Sequence, residues 1–158
     1  MIQRLQSIFL LLASGAIASL FSPAMALGKV VHGQAAAPSP LADGLFTISD
    51  DISLMGLAGV AAIVLFAAIF LYKNRSLQAT VTQMGNLLSG GLLAWGYYLF
   101  SKAIPSVSAV NLDATTQATE IGYSFGIAAP IIAMILSLLA IRFIRKDEAI
   151  VRSADRLR

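Results

Sequence analysis

The chain has 158 residues, of which 58% are hydrophobic and 12% charged, about half the share of about 25% charged residues in a soluble domain, so most of it belongs in lipid, as one bundle. It has no cysteine and one histidine, His32, which excludes disulfide, thiolate, zinc–thiolate and iron–sulfur chemistry and leaves few ways to hold a transition metal. The net charge of +3 says less than its distribution along the chain.

Residues 1–27 carry two readings. Arg4 gives a positive start, Ile8 to Phe21 an apolar run, and Ala24-Met25-Ala26 a small-x-small cleavage pattern after Ser22-Pro23, which is the build of a signal peptide. The same stretch, from 7 to 27, is long enough to be a retained first span, with Ser14, Gly15, Ala18 and Ser19 as a small-residue packing face. Residues 28–53 read as an exported loop. Pro38-Ser39-Pro40 and the Asp43-Gly44 turn signal lie within it. Ser49 or Asp50 is expected to cap the next helix, and Val30-Val31 could open a short strand without an evident partner.

Leu54 to Tyr72 has no charged residue and spans roughly 28 Å as a helix, close to the ~30 Å hydrocarbon core of a bilayer. Lys73 and Arg75 follow at once, as at a cytoplasmic helix end. Residues 73–83 read as a short cytoplasmic connection and 84–104 as the third span. Gly90 and Gly91 in that span allow close helix approach. Trp95, Tyr97 and Tyr98 suit an interfacial belt, and Pro105 is expected to stop the helix. Residues 105–121 form a second exported loop, with Asp113 and Glu120. Residues 122–141 form the last span, where Gly122 and Gly126 make a GxxxG packing pair and Pro130 predicts a kink. The tail, 142–158, holds six of the eleven cations. Phe143, Ile150, Ala154 and Leu157 fall on one helical stripe, and Glu148–Arg152 and Arg152–Asp155 are helical charge pairs.

Nine cations, Arg4, Lys73, Arg75 and the six in the tail, fall on one side of this topology, against Lys29 and Lys102 on the other. The positive-inside rule then puts the tail in the cytoplasm, with the amino terminus beside it if the first helix is retained. The expected fold is all-α. It is a polytopic four-helix transmembrane bundle of the cytoplasmic membrane with an amphipathic cytoplasmic C-terminal helix.

The opening Met1-Ile2-Gln3-Arg4-Leu5-Gln6, the junction from Phe70 to Gln78 and the closing Ile144-Arg145-Lys146-Asp147-Glu148 and Val151 to Arg158 resemble the DUF4293 family. These are small four-helix membrane proteins of Bacteroidota with no assigned function. The resemblance runs end to end. It implies a retained first helix and brings no catalytic role to any residue.

Function is less legible. The predicted spans hold no acid, although coupled transporters keep ionisable groups in the membrane. Asn86, Ser89 and Ser124 are the nearest polar candidates, and interhelical hydrogen bonding is the plainer reading of all three. HExxH, GxSxG and P-loop motifs are absent, so an enzyme is not expected. Asp50-Asp51 reads as a helix cap and His32 as a solvated loop residue. The sequence favours a non-enzymatic accessory or scaffold protein that presents its tail to a partner through Arg145, Lys146, Glu148, Arg152, Asp155, Arg156 and Arg158. A small uncoupled pore or transporter component is the alternative. Membrane lipids, a cytoplasmic or membrane protein and a second copy are the partners considered. No nucleic acid, cofactor or metal is expected.

Overall fold

A computed structural model describes residues 2–31, 41, 43–110 and 120–155. The chain is mostly helical, with four helices. α1 (Ile2–Ala18) leads through a 3-10 turn to β1 (Gly28–Val31) and β2 (Leu45–Phe46), and α2 (Ile52–Phe70) follows. α3 (Arg75–Val110), β3 (Glu120–Tyr123) and α4 (Ala128–Asp155) complete it. α1 packs against α2 and α4, and α3 packs against the same two, so the four helices close a ring. Two of them, α2 and the helix ending the chain, are long and apolar enough to cross a membrane.

The segments expected as exported loops contain a small antiparallel sheet in the order β2-β1-β3. Val30, which had no evident partner, pairs with Ile121, and Gly28 pairs with both Phe46 and Tyr123. The face carrying Gly28, Phe46 and Tyr123 rests on α3, where Phe100 packs at 5.6 Å from Phe46 and 5.8 Å from Tyr123 between ring centroids. Gly44, at φ 77°, supplies the turn entering β2, and the Asp43 carboxylate accepts the Leu45 N–H at 3.1 Å. A Cβ on Gly28 would come within 2.6 Å of the Phe100 ring, and its two aromatic neighbours stop that ring from swinging aside. Gly28→Ala should therefore cost about 1–3 kcal/mol, read by thermal unfolding in detergent. Phe100→Leu in the same chain should recover part of the loss, as coupling between contacting residues requires.

Several expected boundaries move. The connection at 73–83 is helical from Arg75, because Asn74 caps α3 by accepting the Leu77 N–H at 3.1 Å. Gln78, buried in the turn, donates from Nε2 to the Ala68 carbonyl at 3.1 Å, so a polar side chain that suggested a loop satisfies the last turn of α2 instead. α3 runs past Pro105 to Val110. A proline there costs one ladder bond, which a helix this long sustains. The last helix begins at Ala128 rather than 122, so Pro130 lies in its first turn, where an N–H has no partner within the helix anyway and no kink follows. Gly122 is in β3 and Gly126 in a 3-10 turn, so they are not a helical GxxxG pair. α4 continues without a break into the tail as far as Asp155.

Asp51, not Ser49 or Asp50, caps α2. Its side chain accepts the backbone N–H of Ser53 at 2.8 Å and of Leu54 at 3.3 Å. Asp50 closes a separate capping box with Thr47. The Ser53 hydroxyl also donates to Asp51 and accepts the Trp95 indole N–H at 2.8 Å, tying α3 to the start of α2. The Asp51 carboxyl sits below its usual range, chiefly through the Ser53 hydroxyl. Slight burial pushes the other way, and the two backbone N–H groups add to the lowering. A lowered pKa makes the cap's contribution complete above the ordinary carboxylate range and removes it as pH falls through the folded value. Trp95 is the sole tryptophan, so its fluorescence should change in that acid window and stop doing so in Ser53→Ala. The group is only partly buried, so Asp51→Ala should cost about 0.5 kcal/mol, the low end for a lost cap.

Candidate functional site

Four antiparallel helices give the bundle two ends. The sheet caps one, and the start of α1, the end of α4 and the α2–α3 turn lie at the other. At this tail end, Phe9 of α1 stacks on Phe143 of α4 with centroids 5.6 Å apart and planes 10° from parallel. Arg75, the first residue of α3, pairs with Asp147: Nη2 lies 3.2 Å from Oδ2, and Nη1 donates to the Asp147 carbonyl at 3.3 Å. The Oδ2 contact is an ion pair without hydrogen-bond geometry. Both side chains are mostly buried, so the pair is less screened than a surface bridge. The start of the expected tail thus belongs to the bundle.

Arg145 reaches Gln83 at 3.5 Å, a long contact. Arg145 and Lys146 are exposed, and Glu148 is half-buried. Beyond the Arg75–Asp147 clamp, α4 exposes Ile150 (49%) and Val151 (44%). The helix carries Arg152 and Asp155 on its backbone, and their side chains lie outside the described ones. Arg156, Arg158 and His32 lie outside the described residues. The tail end therefore carries Arg145, Lys146, Glu148, Ile150 and Val151 on the last turns of one helix. Its anchor, Arg75 with Asp147, joins positions 72 residues apart, and nothing in the local sequence announced that pairing.

The polar residues considered for a pore separate in the structure. Asn86 Nδ2 donates to the Met134 carbonyl at 3.0 Å and to the Ser137 hydroxyl at 2.7 Å, joining α3 to α4. Ser137 in turn donates to Met134 O at 2.9 Å. Ser89 is buried and donates to Gly85 O within its own helix. Ser124 is at the sheet end, where its N–H donates to Leu27 O. Among the described residues, Gln6 is also buried, and its Nε2 has no hydrogen-bond partner.

A cleft of about 560 Å³ opens between α3 and α4 beneath the sheet. Gly90, Ala94, Gly96 and Phe100 line it from α3, Met134 from α4 and Tyr123 from the sheet. It exists because small residues on α3 leave room. A Cβ on Gly90 would meet only the tip of Met134, at 3.6 Å. Gly91 faces open space, and Gly96 lies against Leu27 and Leu54. The Tyr97 and Tyr123 rings, centroids 6.4 Å apart, stand at the mouth, both more than half exposed.

A family model, Domain of unknown function (DUF4293), matches residues 2–157. The chain belongs to the DUF4293 family. The match spans all four helices and the sheet, so the tail-end clamp, the cleft and the strand pairing all fall inside the DUF4293 domain. No curated protein matches the chain.

Proposed function

We propose that this DUF4293 protein is a non-enzymatic accessory protein of the cytoplasmic membrane. It spans the bilayer four times, keeps both termini in the cytoplasm, and docks a protein partner on the last turns of α4. The spanning reading is supported by an inside-out distribution of side chains. α2 turns Leu54, Ala58, Ala61, Leu65 and Ala68 inward and leaves Ile63, Phe66 and Phe70 outward, Ile63 at 68% exposure. The inner face of α4 includes Ala129, Ala133, Ser137 and Ala140, while Ile131, Ile132, Ile135 and Leu138 face out. Small residues inside and large apolar ones outside suit a helix bundle whose solvent is lipid.

The same packing supports a retained α1. Leu10, Ala13 and Ile17 are fully buried against its neighbours. The Ala24-Met25-Ala26 segment is tied down, since Ala26 O accepts Gly126 N–H at 2.8 Å and Leu27 N–H donates to Phe46 O at 2.7 Å.

The observation that carries the docking role is the Arg75–Asp147 clamp. It fixes α4 one turn before the exposed Ile150 and Val151, so the turns that carry them lose little further freedom on binding. Truncation after Glu148 keeps the clamp and removes the docking turns. Native mass spectrometry of the gently extracted protein should show a stoichiometric partner on the full chain and none on the truncated one. A partner retained after truncation, or none on either form, overturns the proposal. Arg75→Ala should raise hydrogen exchange in 148–151 without unfolding the bundle, a local loss of about 1 kcal/mol.

A further inference from the structure

We propose that the cleft between α3 and α4 holds one acyl chain of a phospholipid from the leaflet at the sheet end. This rests on the four-span reading above. Gly90 to Phe100 covers about 15 Å of helix rise, half of a ~30 Å hydrocarbon core, so the cleft has the depth of a single leaflet. Spread over that depth, 560 Å³ is a slot roughly 7 Å across, wide enough for a hydrocarbon chain to lie along it.

The surroundings say which medium supplies the occupant. Ile127 at the end of the 3-10 turn and Ile131, Met134 and Leu138 on α4 follow helical spacing, with Ile131 and Leu138 exposed. Leu87 and Ala94 are exposed on α3. In a four-span arrangement these border the opening, so the cleft faces hydrocarbon sideways, and apolar walls give water nothing to bind. Tyr97 and Tyr123 stand over the sheet end of the slot. Amphipathic rings of this kind sit at headgroup level, which places the ester end of the lipid there and the chain running down toward Met134. Lipid already surrounds the protein, so there is no hydrophobic driving force. Retention comes from close contact along a preformed slot.

The test is native mass spectrometry of the full chain released from its own membrane in mild detergent. One phospholipid per chain is expected. Ala94→Trp fills the mouth from an exposed position, and Gly90→Leu fills the floor against the flexible Met134. Each should lose the phospholipid. Ile63→Trp, on the exposed face of α2, should keep it. In liposomes containing phosphatidylglycerol with a photoactivatable chain, crosslinks should fall on 90–100. A wild-type chain with no bound phospholipid, a bound fatty acid, isoprenoid or protein instead, or retention in both filling variants overturns the cleft proposal. Alkaline carbonate extraction separates the two readings. Release from the membrane pellet refutes the spans themselves, whereas a pelleted chain without phospholipid refutes only the cleft.

Discussion

Gly126→Ala is expected to be among the most damaging single-methyl additions in this chain, while the same change at Gly122 is expected to be nearly silent. A Cβ at Gly126 would come within 2.7 Å of Met25 O and 2.8 Å of the Ala26 carbonyl carbon. Both obstacles are main chain, so no rotamer change relieves the clash. That main chain is itself fastened, by Gly126 N–H to Ala26 O and by Ser124 N–H to Leu27 O at 3.1 Å. The strand β1 therefore cannot withdraw without giving up the sheet. A loss of about 3 kcal/mol is expected, at the upper end for overpacking. At Gly122 an added Cβ meets nothing within 4 Å, and a change below about 0.5 kcal/mol follows. Parallel denaturant titrations in one detergent compare the two. Equal losses would mean that the close approach of Gly126 to the Met25–Ala26 main chain just before β1 is not what holds the sheet end together.

The second large effect inverts the usual order of core and surface. Ala61→Leu adds volume to a fully buried position on α2, a helix packed against α1 and α3. An expected loss of about 2 kcal/mol follows from overpacking. Ile63→Ala, two residues on, removes a large apolar side chain that is 68% exposed. In lipid its surroundings are as apolar as the side chain itself, so it should cost under about 0.5 kcal/mol. In water the same truncation would improve solubility. Unfolding of both variants in bilayer-like micelles, with recovery from the membrane fraction, decides it. If Ile63→Ala is the more destabilising of the two, the outer face of α2 is packed against something other than lipid.

α2 and α4 were legible from the sequence because each holds a long apolar run, which hydropathy reads directly, and α1 and α3 from shorter apolar stretches broken by small and polar residues. Their ends were not, for identifiable reasons. Gln78 and Thr82 look like loop residues, but both are buried and hydrogen-bonded within the helices. Pro105 and Pro130 looked like a stop and a kink. Context within the helix, its interior for one and its first turn for the other, changes what a proline does. The sheet was nearly invisible. β2 has two residues, too few for an alternating pattern, and β1 gains its second partner from the other end of the chain. The Asp43-Gly44 turn was readable because a positive φ demands particular residue types. Of the candidate site, the charged tail was evident, but its anchor at Arg75 and the cleft were not. One is a contact across the fold, and the other depends on where glycines face.

The pairing of β1 with β3 also sets an order of assembly. Val31 meets Glu120 only after roughly ninety further residues have been made, on the order of ten seconds at about 5–20 residues per second. In that interval α1 and α2 can form a hairpin with β1 and β2 already joined, but β1 shows an open edge. An unpaired edge recruits whatever strand arrives first. A nascent chain stalled before β3 would thus carry a sticky outer rim, and two such chains could pair with each other before either finishes. The late arrival of β3 closes that rim.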